Sequence, residues 1–282
     1  MATNQSTLTL YGVNIKILDN IENKTEEYIK LLQLMYESDL HEKIRGPKSG
    51  KITNFNLTKD YDKDLYWGKF TTFTMIEKNN WLDDKSKEIV RNEDIQDGMY
   101  PNAKVAMFYF IPSIHRIFIK KNFGVTIDDF MIYLKKIITR LNDKYTIEII
   151  KEQSNDSIDK ILNSKNVLRI ELEISYTNDD FADDFSTHAD EYLKENKITK
   201  LHSVYTSEVE HKLNIKDKLI QGLLKLSKSN GYAIATIYNE NNKKEKIKTK
   251  DYPMEYKIES SKHDSSFQLV YTKLKSLFPR KE

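Results

Sequence analysis

Apolar residues recur along this chain at two spacings, and the switches between them lay out a mixed fold. Residues 8–17 alternate apolar and polar side chains, the period of a half-buried strand. Residues 25–40 change to helical spacing, with Tyr28, Leu31, Leu32, Met35 and Tyr36 on one face. Thr25 is placed to cap that helix, and Glu26 and Glu27 suit the positive end of its dipole. Residues 41–64 are polar and carry Gly46, Pro47 and Gly50, which predicts an exposed loop with a short strand inside it. Residues 66–76, with Trp67, Phe70 and Phe73, form the next strand, and 79–102 are a second polar excursion. The β-rich runs 105–111 and 114–119 flank Pro112-Ser113 and predict a hairpin over 104–121. A helix over 126–144 follows, with Thr126 as cap, Asp128 and Asp129 in its first turn, and a strong apolar face from Ile127 to Leu141.

A strand over 145–151 completes the order β-α-β-β-β-α-β. With one strand added, this is the split βαβ arrangement of the ferredoxin-like type. The second half continues with a short helix at 157–164, a strand at 167–176, a helix at 180–196 and a strand at 198–207. A helix over 214–229 stops at Asn230-Gly231. Residues 232–238 and 246–258 read as a second hairpin around a polar tip, and 265–278 as a last helix. The expected class is therefore α+β: a ferredoxin-like domain with an antiparallel sheet over 1–152, and a second α/β half over 153–282, the two able to pack as one continuous unit.

Composition narrows the chemistry. The 282 residues contain no cysteine, which excludes a disulfide framework, a thiolate zinc site and a cysteine nucleophile. Residues 1–9 lack the basic and apolar regions of a secretory signal. No apolar run approaches the roughly 20 residues that cross a bilayer. The expectation is a cytoplasmic protein without membrane contact. With 45 basic and 43 acidic residues the net charge is only +2, so any attraction to nucleic acid must come from a local patch.

Several constellations could supply chemistry. His115-Arg116 lies in the apolar hairpin beside Tyr109 and Phe118, where a basic pair could meet a phosphate and a base. The competing reading is an Arg on a solvated face and a hydrogen-bonded His. Lys43, Arg45, Lys48 and Lys51 surround Gly46 and Gly50 in a basic loop that could approach phosphate. That segment is no P-loop, because Lys51 is followed by Ile52. Asp179, Asp180 and Asp183, with Asn178 and Asp184, could hold Mg²⁺ as in a nuclease, or simply cap the helix they precede. Lys244, Lys246, Lys248 and Lys250 would share one face of a strand, either binding a phosphate backbone or protecting a sheet edge, the second being preferred. The six histidines show no zinc spacing, and there is no G-x-S-x-G or G-x-G-x-x-G motif. No cofactor is evident.

Six short landmarks occur in order: 11–15 (YGVNI), 67–70 (WGKF), Pro101-Asn102, 112–116 (PSIHR), 178–180 (NDD) and 229–231 (SNG). Together they make the chain resemble the bacterial family catalogued as domain of unknown function 4747 over most of its length. The Lys-rich second hairpin departs from the family pattern. The resemblance transfers no catalytic residue. It implies a mobile or defence-associated locus and a role against phage. The leading expectation is a defence protein that binds or senses nucleic acid, RNA included, through His115, Arg116, Lys69, Tyr109, Arg45 and Lys48. A Mg²⁺-dependent nuclease built on the three aspartates is the first alternative. The second is an interaction module that binds a defence-locus or phage protein, or forms a homodimer.

Overall fold

Antiparallel pairing runs throughout the computed structural model, which describes residues 6–57, 65–175, 184–207, 211–239, 241–260 and 266–278. The chain opens with β1 (Ser6–Ile17) and α1 (Lys24–Glu37), then β2 (Glu42–Arg45), β3 (Lys48–Leu57) and β4 (Tyr66–Thr74). A two-residue ladder, β5 (Trp81–Leu82) with β6 (Ile89–Val90), interrupts the polar excursion before β7 (Lys104–Ile111), β8 (Arg116–Lys120), α2 (Ile127–Leu141) and β9 (Ile147–Lys151). The remainder is α3 (Asn155–Leu162), β10 (Val167–Ser175), α4 (Asp184–Glu195), β11 (Lys200–Thr206), α5 (Lys218–Asn230), β12 (Gly231–Tyr238), β13 (Lys244–Lys248), β14 (Glu255–Ser260) and α6 (Ser266–Leu277). Six helices and antiparallel sheets thus make up the described residues.

The first sheet runs β14-β1-β8-β7-β4-β3-β2, with β9 also on β1. β14 pairs the first half of β1 and β9 the second, in tandem along one edge, while β8 takes the other edge. Strand periodicity sorts the side chains. Phe108, Phe110, Ile117 and Ile119 face α1 and α2. Tyr109 and Phe118 point the opposite way, towards Val270 and Leu274 of α6. Both faces of this region are therefore buried. The helices start where their sequences dictate: Thr126 and Asp129 form a reciprocal capping box on α2, and Asp217 caps α5 through the Leu219 and Ile220 amides.

The second sheet, β11-β10-β12-β13, is smaller. Ile170, Leu172, Ile174, Ala233, Ala235 and Ile237 bury one of its faces against Ile161 of α3, Ala189 and Leu193 of α4, and Leu223 and Leu224 of α5. Among the described residues no helix is long and apolar enough to cross a membrane.

Three sequence expectations change. Residues 42–57 form a hairpin rather than a loop: Gly46, at φ +49, turns the chain, and Ile44 and Ile52 reach the core from an otherwise polar ribbon. Residues 246–258 are two strands in different sheets. A 3-10 turn at Thr249–Asp251 breaks them apart, and the buried Thr249 hydroxyl bonds both the N–H and C=O of Ala233 in place of a strand pair. β14 then crosses to β1. Finally, His115 is not mid-strand. It ends a 3-10 turn at Pro112–Ile114 in the left-handed region, φ 56.

Candidate functional site

The residues singled out in the sequence separate into buried and exposed groups. Tyr109 packs inside the first sheet near Phe267, and desolvation pushes its hydroxyl up to about 12. The His115 ring lies 4.8 Å from Tyr28, and its Nδ1 meets no hydrogen-bond partner. Burial, reinforced by the charges of Arg116, Lys24 and Lys16, lowers its pKa to about 4, so it is neutral at pH 7. Arg116 is only 3% exposed. Its Nε donates to Glu152 Oε1 at 2.6 Å, its Nη1 to the Ile114 carbonyl at 2.8 Å, and its guanidinium lies 5.2 Å from the Phe278 ring centre. Tyr256 donates to the other Glu152 oxygen at 2.5 Å. This cluster ties β8, the residue after β9, and β14 together across β1. Lys69 is exposed on β4. Lys48 donates to Asp129 at 2.6 Å and to the Gly124 carbonyl, and Arg45 stands 3.9 Å from the same aspartate. The six residues are thus not brought to one surface. Asp179, Asp180 and Asp183 lie outside the described residues. Among those described, no group of three or more His, Asp or Glu side chains could hold a metal ion.

A different surface collects the recognition chemistry. Because helices cover one face of the second sheet, strand parity sends alternate residues to the other. The cross-strand register assembles them in rows. Thr206, Arg169, Thr236 and Lys246 form one; Val204, Glu171, Ile234 and Lys248 the next; His202, Glu173 and Tyr232 the third. Tyr238 pairs Lys244 at the far end. These side chains are exposed or half-buried, Val204 being 45% exposed. Lys244 lies 5.9 Å from the Tyr238 ring centre, and Lys250, on the 3-10 turn, 5.1 Å from that of Tyr232. Six Lys or Arg (Arg169, Lys200, Lys244, Lys246, Lys248 and Lys250) stand against two glutamates, and both glutamates are engaged. Arg169 bonds Glu171 at 3.2 Å and lowers its pKa; Lys200 bonds Glu173 at 2.8 Å and does the same there. The face is therefore net basic, with two phenol rings between the cations.

At the Tyr232 end this face meets a groove of about 740 Å³ between the two sheets, lined on one side by α2 and β9 and on the other by the ends of β10 and β12. Glu173, Lys200, Tyr232 and Lys250 belong to both face and groove. Behind the groove is a polar seam. Asn14 donates to the Ser229 carbonyl at 3.0 Å; Lys16, fully buried, reaches Ser175 Oγ at 3.3 Å; and Gln153 donates to the Gly231 carbonyl at 3.2 Å. Gly231 is required here, since a Cβ would stand 1.8 Å from the Glu173 carbonyl oxygen. Three groove-lining residues carry a buried acceptor oxygen that meets no donor: Glu148 Oε2, Gln153 Oε1 and Asn230 Oδ1. In the sequence only the row Lys244, Lys246, Lys248 and Lys250 pointed to this face, and the structure moves Lys250 from the strand to the 3-10 turn. Tyr232, Ile234, Thr236 and Tyr238 read only as strand, and it is the position of helices on the opposite face that turns them into a surface.

Comparison with known families adds one finding. The family described as Domain of unknown function (DUF4747) matches residues 6–276, nearly the whole chain, and the protein belongs to it. No curated protein matches the sequence.

Proposed function

We propose that this member of the DUF4747 family binds single-stranded nucleic acid, with RNA the first candidate, across the open face of its second sheet. The observation that carries the reading is the pairing of Tyr232 and Tyr238 with Lys250 and Lys244 on a sheet whose helices all pack behind it. Aromatic rings on an open sheet stack bases of any identity, and flanking lysines follow the phosphate chain. The setting we propose, on the family resemblance, is bacterial defence against phage.

The test is fluorescence anisotropy of a labelled oligouridylate as KCl is raised. For single strands log K falls by about 0.7 per phosphate neutralised for each tenfold rise in salt. If all six cations engage, the slope is about −4. Changing both Lys246 and Lys248 to Ala flattens it by about 1.4, and Tyr232→Ala costs about 1–3 kcal/mol of affinity with the slope unchanged. Absence of binding, or slopes identical in wild type and the double variant, would overturn the proposal.

The finer fold is part of the same proposal. The order β9-β1-β8-β7, with α1 after β1 and α2 between β8 and β9 on one face, supports a split βαβ unit of the ferredoxin-like type, into which β2 to β6 are inserted between α1 and β7.

A further inference from the structure

We propose that the open face cleaves the RNA strand it binds, with Glu173 as general base and His202 as general acid. The inference rests on the reading of that face as a nucleic-acid surface. Three neighbouring strands bring the groups together at its Tyr232 end. Glu171 and Glu173 are two apart on β10, so strand parity sends both to the open face. His202 of β11 stands directly opposite Glu173 on one side, and Tyr232 of β12 directly opposite it on the other. Side chains so paired have Cβ atoms about 4.5–5.5 Å apart. Glu173 accepts from Lys200 Nζ at 2.8 Å and from the Tyr232 hydroxyl at 3.0 Å. His202 Nε2 lies 3.5 Å from one oxygen of Glu171, whose other oxygen accepts from Arg169 at 3.2 Å. A ligand can reach the pair, since the side chains of His202 and Glu173 are 57% and 32% exposed.

The set matches what breaking an RNA strand requires. The 2′-hydroxyl beside each phosphate is an internal nucleophile. It needs a base to take its proton, an acid to protonate the leaving 5′ oxygen, and cations to meet the charge that gathers on the phosphoryl oxygens. Glu173 suits the first role. Lys200 above all, with Tyr232, holds its carboxyl below the usual carboxylate range, so it is ionised at neutral pH. An imidazole exchanges its proton near neutrality, which suits His202 to the second role. Lys200 and Arg169, already beside the two carboxylates, supply the cations. In the step, Glu173 takes the proton of the 2′-hydroxyl and O2′ bonds to phosphorus. The bond from phosphorus to O5′ breaks, and protonated His202 gives its proton to O5′. The products are a 2′,3′-cyclic phosphate and a free 5′-hydroxyl, and exchange with solvent resets both side chains. DNA lacks the nucleophile, so the same face binds a DNA strand without cutting it.

The test is incubation of oligouridylate with a saturating excess of the full chain in EDTA, so that the cleavage rate rather than the affinity is read. Mass spectrometry identifies the ends. We expect fragments ending in 2′,3′-cyclic phosphate and 5′-hydroxyl, and no cutting of oligodeoxyuridylate. His202→Ala and the isosteric Glu173→Gln, purified in the same way and checked for folding by circular dichroism, should each cut at least about 100-fold more slowly. No cleavage by the wild type overturns the inference, a comparison that needs no variant; it is the outcome if the cluster is only a solvated ion-pair network. Cleavage that both variants leave unchanged, as a contaminating nuclease would give, overturns it too. So do 5′-phosphate ends, which require water rather than the 2′-hydroxyl as nucleophile. Oligodeoxyuridylate, which cannot be cut, reports binding by fluorescence anisotropy. Binding of that strand without cleavage of the ribose strand sinks this inference only, whereas no binding of either strand sinks the open-face reading and this inference with it.

Discussion

The cluster of Arg116, Glu152 and Tyr256 gives the sharpest test of how the first sheet is held and of which residues do not touch ligand. Replacing Glu152 by Leu takes the Nε partner from a guanidinium that is 3% exposed. Removing one partner of a buried pair costs about 3–5 kcal/mol. The Tyr256 hydroxyl, which donates to Glu152, loses its acceptor as well, adding about 1–3 kcal/mol. The sum is comparable with the whole stability of an ordinary domain, about 5–15 kcal/mol. Removing all three polar groups together is a different perturbation. Arg116→Met, Glu152→Leu and Tyr256→Phe combined remove the ion pair and the hydroxyl bonded to it together, and apolar replacements of buried ion pairs are often neutral or stabilising. We expect the triple variant to lie within about 2 kcal/mol of wild type while Glu152→Leu alone unfolds or nearly so. Urea unfolding followed by far-ultraviolet circular dichroism at pH 7 measures both. A triple variant no more stable than the single one would refute the account. The same triple variant should keep the wild-type salt slope for oligouridylate, and a flatter slope would make Arg116 a phosphate contact after all.

Two further predictions concern single residues. His115 has a folded pKa of about 4, below the 6.5 of an exposed imidazole, so the unfolded chain binds the extra proton between those values. Stability from this group is complete above about pH 6.5 and falls as pH drops towards 4, by about 3 kcal/mol in all. His115→Asn, which tolerates the left-handed backbone, should flatten the urea midpoint between those pH values; an unchanged pH dependence would show that other groups cause it. Gly231→Ala meets the Glu173 carbonyl oxygen, a backbone atom that cannot swing aside, and should cost at least about 1–3 kcal/mol on thermal or urea unfolding. Wild-type stability in that variant would refute the close approach.

Local patterns carried much of this fold. The strand over 8–17, the helix over 25–40 and the capping signals at Thr126 each depend on neighbours in sequence, and each element is present, although Asn23 rather than Thr25 caps α1 and the polar Asn14 and Lys16 of β1 are buried rather than solvated. What could not be read were choices made between distant strands. Nothing near residue 250 announces that β14 will leave β13 and pair with β1, because the decision depends on the free half-edge that β9 leaves on β1. His115-Arg116 looked like a surface pair for the same reason: its partners Glu152, Tyr256 and Tyr28 are scattered along the sequence. A charged residue in an apolar run signals a partner. It does not say whether that partner is a ligand or another part of the chain.

The landmark segments show where the two sheets depend on each other. Residues 11–15, 112–116 and 229–231 converge on one seam: Ile15 N–H bonds the His115 carbonyl, Asn14 bonds the Ser229 carbonyl, and Gly12 leaves the space that Glu152 fills beside Arg116. On the first-sheet side of the seam both sheet faces are covered and Arg116 is paired with Glu152, although Asn14 Oδ1 and His115 Nδ1 meet no partner. On the groove side the helices cover only one face, and acceptors are left over. Unpaired buried polar atoms occur on both sides of the seam, so they do not mark out a ligand site. The argument for looking on the second sheet is its uncovered face, where Tyr232 and Tyr238 stand beside Lys250 and Lys244.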